Sequence, residues 1–173
     1  MKILTIGLQA LGIGVLVPLV VMGTLRFDNR NADGPSILFP GGELVSGELY
    51  AGAEPDWSFT SNIQTIELQL NDPLSSRLIW ILESEGKIYI ASGYMSTFLG
   101  RLWKHWAIQA NEGDGLAVVR INGIRYERQL KRITQGPVLD GVGAAMAKYG
   151  ARTPRQVIEA GNTWIFELAP RET

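Results

Sequence analysis

Cysteine is absent from the 173 residues, and histidine occurs once. The first absence removes disulfides, thiolate nucleophiles and zinc–thiolate sites. The second removes any multi-histidine metal centre, and no carboxylate motif points to another kind, so no metal is expected. No excess of one charge sign exists either: 16 Lys and Arg stand against 17 Asp and Glu, a net of −1. That balance, on a chain with a strongly apolar start, argues against nucleic acid as a partner. No repeat, low-complexity tract or nucleophile–base constellation is present.

Charge is also missing from Ile3 to Leu25, a run of 23 residues. A bilayer-crossing helix needs ~20 apolar residues, whereas the apolar core of a signal peptide is ~7–15. Residues 1–25 therefore read as an uncleaved single-pass anchor, in contact with the cell membrane through residues 3–25; a cleaved signal peptide is the alternative, with Val21-Met22-Gly23 a passable cleavage site. Lys2 and the amino terminus before the span nearly balance Arg26 and Arg30 after it. Charge does not fix the orientation; the default for a short N-terminal anchor puts the globular domain outside, on the periplasmic side. Residues 26–42 are polar and end in Pro and Gly, and read as a linker. Residues 43–173 are long enough for one well-packed domain.

Within that domain the patterning is mainly β. Thr65 to Leu70 alternates apolar and polar residues, as a half-buried strand does. Arg77 to Glu83 is apolar on both faces and reads as a strand buried on both sides. Ser84-Glu85-Gly86 turns it into a hairpin with Lys87 to Ser92. Leu116 to Ile121 and Ile124 to Ile133 flank Asn122-Gly123, which fits a type I′ turn, with a bulge near Arg128 to account for a slip in phase. Thr163 to Ala169 is the last strand. The spacing of Leu99, Leu102, Trp103, Trp106, Ala107 and Ala110 predicts one helix with these residues on its buried face. A second helix runs from Gly136-Pro137 to Tyr149 with Gly150 as its cap. A third is predicted after Thr153-Pro154, with Thr153 and Gln156 as a capping box. About six antiparallel, hairpin-linked strands with flanking helices predict a closed β-barrel.

Charge is unevenly placed. Glu43 to Glu85 holds eight acidic residues against one basic residue, and Arg101 to Arg132 holds seven basic against three acidic. The basic stretch could hold an anion, or could pair with the acidic half.

The order of a strand, Pro73-Leu74-Ser75-Ser76-Arg77, an apolar strand, Lys87-Ile88-Tyr89-Ile90-Ala91-Ser92, a polar loop, a Trp-containing helix, and two strands around Asn122-Gly123 resembles the split β-barrel superfamily. That group includes the pyridoxamine-phosphate-oxidase-like FMN-binding proteins and the F420 deazaflavin-dependent nitroreductases. The resemblance covers about Asn62 to Ile133. It implies a flavin site, with FMN or F420 as cofactor, in a homodimer that holds the cofactor at its subunit interface. Ser76 and Arg77 stand where the strand start approaches the flavin. Ser92, Gly93, Tyr94, Ser96 and Thr97 stand where hydroxyls and backbone N–H groups meet the cofactor phosphate. Arg101 and Lys104 stand where a helix start supplies a cation, and Trp103 resembles the Trp of the deazaflavin group. The Gly-Arg-Lys-Ser/Thr-Gly run of many deazaflavin reductases is replaced here by Asp72 to Arg77. Haem held through His105 ranks behind FMN and F420.

Two functions follow from this reading. One is a membrane-anchored flavin or deazaflavin oxidoreductase acting on a small or lipophilic acceptor. The alternative is a non-catalytic, membrane-tethered binding or assembly module on the same fold.

Overall fold

The computed structural model describes residues 2–150 and 152–171, with side chains from residue 12 onward; the side chains of residues 3–11, part of the expected bilayer contact, lie outside that set. Helix α1 runs from Lys2 to Asn29. Its stretch from Gly12 to Asn29 is wholly unburied and, by length and composition, apolar enough to cross a membrane, a description that a signal sequence also meets.

Six strands close a barrel: β2 (Thr65–Asn71), β3 (Leu74–Ser84), β4 (Lys87–Ser92), β5 (Leu116–Ile121), β6 (Ile124–Ile133) and β7 (Trp164–Pro170). Around the ring the order is β6-β5-β2-β3-β4-β7, and β7 pairs back onto β6. Every pair in the ring is antiparallel. A two-residue strand, β1 (Glu48–Leu49), lies parallel to the start of β6. The two tight turns take the predicted form, with positive φ at Glu85 and Gly86 and at Asn122 and Gly123.

Alternation along the strands makes two cores. Leu68, Ile81, Ile90, Val119 and Phe166 point into the barrel, and Trp106, Ala107 and Ala110 of helix α3 (His105–Glu112) pack with them. Leu82, Tyr89 and Ile165 point outward, under Leu139 and Val142 of α4 (Val138–Ala145) and Ile158 of α5 (Arg155–Glu159). Burying each such large aliphatic side chain is worth ~1.5–3 kcal/mol.

Several local expectations are corrected. The register of β6 is continuous against both neighbours, so there is no bulge at Arg128. Ile133 is out of phase because it belongs to the outer core. Strand β3 is not buried on both sides: Leu78 and Trp80 are exposed, and Trp80 stacks flat on Tyr149 at 4.5 Å between ring centroids. The predicted third helix begins one residue later, at Arg155, with Pro154 at the cap and no side-chain capping bond. The mid-chain helix is broken at Lys104 (φ −100°, ψ 33°) into α2 (Phe98–Trp103) and α3. Only α3 reaches the core; Leu99, Leu102 and Trp103 of α2 are exposed.

Beyond α1 the chain lies against the barrel. Asn29 Nδ2 donates to the carbonyls of Phe39 (3.2 Å) and Pro40 (2.8 Å). Gly41 exchanges two backbone hydrogen bonds with Ser76, each 2.9 Å. Arg120 joins this strap to the sheet, donating to Asp33 Oδ1 at 2.8 Å and pairing with Glu67. Arg128, buried across Trp57, takes both oxygens of Glu54 at 2.7 and 2.8 Å. Two of the basic residues of β5 and β6 thus pair with acids from the first half of the chain.

Candidate functional site

The site is built where β3 meets the break between α2 and α3. Arg77, two residues before Ile79 on β3, sits above Trp106, its guanidinium carbon 5.7 Å from the ring centroid. Its Nη2 donates to Ser75 Oγ at 2.7 Å, and its Nε is buried with no partner. Burial pushes Arg77 down to about 10. Lys104 stands at the helix break, where its N–H caps α2 on the carbonyl of Gly100 at 2.8 Å. Burial first, and the charge of Arg77 second, hold its amine below the usual lysine range. Among the described residues no carboxylate pairs with either cation: Glu67 is taken by Arg120, and Glu83 accepts from the N–H of Gly86.

The two side chains line one hollow of about 220 Å³. Its walls are Trp103 and Trp106 on one side and Leu38, Phe39 and Pro40 of the strap on the other. Two like charges drawn out of water toward each other destabilise the empty hollow, and an anion there would take charge-assisted hydrogen bonds from both. A second hollow, of about 540 Å³, shares Trp103 and Lys104 as its wall and is otherwise bounded by Tyr94, Thr97, Leu99, Gly100 and Leu102.

The structure brings Arg77, Trp103 and Lys104 together at the first hollow, and Tyr94 and Thr97 to the second. The remaining sequence-derived candidates lie elsewhere or are engaged. Ser76 is buried on the outer side of β3 beneath Gly41. Ser92 is fully buried and donates to Met95 Sδ at 3.2 Å. Gly93 is half-buried at the end of β4, and Ser96 donates to Asn162 Oδ1 at 2.6 Å. Thr97, at the second hollow, is engaged as well, as the cap of α2, its Oγ accepting from the N–H of Gly100 at 3.0 Å. Arg101 is exposed on α2 and lines neither hollow. His105 is exposed as the first residue of α3. Sequence reasoning missed Trp106 as a wall, because helical spacing made it core, and missed the strap, whose apolar run Ile37-Leu38-Phe39 was the available signal.

No protein-family model and no curated protein matches the chain. Among solved structures it is similar to the conserved hypothetical protein Rv2991 from Mycobacterium tuberculosis, at 12% identity and a TM-score of 0.47, over 71% of this chain and 86% of that one.

Proposed function

We propose that this barrel binds a planar, phosphate-bearing cofactor of the flavin or deazaflavin class, FMN or F420, as a split-barrel oxidoreductase anchored by α1. The observation that carries the reading is the pair Arg77 and Lys104, two half-buried cations facing one hollow with, among the described residues, no carboxylate to neutralise them. The buried, unpaired Nε of Arg77 is a donor still wanting an acceptor. Arg77 and Lys104 would hold the phosphate, and Trp103 offers an exposed indole face to a flat ring. The bound flavin would supply the redox chemistry, which is consistent with the lack of an acid–base constellation in the chain. The apolar hollow beyond Trp103 suits a small or lipophilic acceptor.

The full chain, purified in detergent, is titrated with FMN and with F420 while their fluorescence is followed. Each lost charge-assisted hydrogen bond is worth ~1.5–3 kcal/mol, so Arg77→Gln with Lys104→Gln should weaken binding by at least roughly 100-fold. Equal affinity in the double variant removes this site. No binding of either cofactor by the unaltered chain favours the second reading, a non-catalytic binding or assembly module. One observation favours that module: the hydroxyls of Ser92 and Ser96, expected at the phosphate, already have internal partners.

A further inference from the structure

The most exposed apolar side chains of the barrel are not scattered. Ile37 and Leu38 of the strap are 89% and 81% exposed, and Phe98, Leu102 and Trp103 of α2 are 74%, 66% and 84% exposed. Isolated exposed apolar residues need no explanation, but a contiguous patch does. These join through shared walls. Leu25 of α1 bounds one hollow with Ile37, Leu38 and Leu78; Ile37, Leu38 and Leu78 bound the next with Trp103; and Trp103 bounds the third with Leu102. The patch is therefore continuous from the end of α1 to Leu99, Leu102 and Trp103 of α2.

Continuity with α1 settles what would cover it. The uncharged run ends at Leu25, and Arg26 follows. At ~1.5 Å per residue the run is ~35 Å long, against ~30 Å of hydrocarbon. A bilayer crossed by α1 would thus have its boundary at Leu25–Arg26. Ile37, Leu38 and Leu78, which line a hollow with Leu25, would adjoin that boundary, and Trp103 shares the next hollow with them. The patch also has the composition of an interfacial element: Trp103 and Tyr94 as aromatic belt, Leu and Phe as apolar face, and the exposed Arg101 as a cation for headgroups.

We propose that the strap tip and α2 form a second membrane contact, laying this end of the barrel in the headgroup layer of an anionic bilayer. This rests on reading α1 as the membrane anchor. The two hollows would then open at the lipid surface, where a lipophilic molecule could enter from the acyl layer.

Because the chain has no native cysteine, a single introduced one reports alone. Full-length Ile37→Cys, Leu102→Cys, Val17→Cys and Glu127→Cys variants are spin-labelled in phosphatidylcholine–phosphatidylglycerol vesicles. Their access to oxygen from the lipid and to a water-soluble relaxant is compared. Glu127 is the aqueous reference, exposed on β6, which lies three strands from β3 either way round the ring. Lipid access at Val17, Ile37 and Leu102, with the last two ~5–10 Å below the headgroup boundary, supports the proposal. Lipid access at Val17 with Ile37 and Leu102 as wet as Glu127 overturns it and leaves the anchor standing. Aqueous access at Val17 overturns the anchor reading and the proposal with it. Shielding of Leu102 from both probes overturns it in favour of a second copy of the chain.

Discussion

At the scale of single residues, the buried charges divide into those with a partner and those without. Arg128 is nearly inaccessible and is neutralised by Glu54, whose side chain is 42% exposed. Glu54→Ala would leave that guanidinium buried and unpaired. A fully enclosed pair would lose ~3–5 kcal/mol; water at Glu54 lowers the expected loss to about 2–3 kcal/mol. Urea midpoints check this, and a loss under ~0.5 kcal/mol would contradict it. Tyr149 donates to the carbonyl of Ile81 at 2.6 Å, and burial pushes its phenol up to about 12. Burial does the same to Tyr89, with Glu167 adding to it. Both phenols thus hold their protons in the folded chain at a pH where the unfolded chain has begun to lose them. Their contribution is complete below about pH 10 and falls away between about pH 10 and 12. Tyr149→Phe should flatten that fall in denaturant midpoints; an unchanged slope would show that the phenol titrates normally.

At the scale of elements, most strands were legible because alternation and turn chemistry agree. Asn122-Gly123 and Glu85-Gly86 announce hairpins, and both form. What was not legible is where burial switches partner. The spacing of Leu99, Leu102, Trp103 and Trp106 is that of one amphipathic helix, and spacing alone cannot report a backbone break at Lys104. Likewise Ile133 and Trp80 look like barrel-core residues until α4 and Tyr149 are seen outside the sheet. Of the candidate site residues, Arg77, Trp103 and Lys104 line one hollow, whereas a hydroxyl's partner, as at Ser92 and Ser96, depends on residues the local pattern does not show. The break itself is testable. Gly100 lies where a Cβ would collide with the carbonyl oxygen of Tyr94 and with Thr97 Oγ. Gly100→Ala should therefore destroy the Thr97 cap, worth ~1 kcal/mol, and speed amide exchange across α2 while leaving α3 protected. Unchanged exchange would contradict the tight cap. Asn29→Ala should in turn loosen the strap, seen as faster proteolysis within residues 30–42, since two carbonyls lose their shared donor.

At the scale of the whole molecule, the six strands close into a ring, but β3 pairs with β4 only from Ile81 to Ser84, and the strap meets its earlier part at Ser76 through Gly41. The strap fixes α1 to that ring at Asn29, Gly41 and Arg120. The cationic hollow and the exposed face of α2 consequently share one side with the end of α1. The proposed anion site and the proposed bilayer contact would then form one arrangement, with a phosphate between Arg77 and Lys104 beside an apolar hollow that opens toward lipid. Removing residues 1–25 should leave the barrel folded, since its cores lie in later residues. Retention of the thermal transition in the shortened chain checks this, and its loss would show that α1 is part of the fold.

The measurement closest to the centre of this account is the titration of Lys104 itself, followed through the Cε resonance of labelled lysine in the full chain. If Arg77 and Lys104 share an anion site, Lys104 titrates below ordinary lysines, rises toward them in Arg77→Gln, and rises in the unaltered chain when FMN or inorganic phosphate is added. A Lys104 that titrates like the exposed lysines and responds to neither change would contradict it.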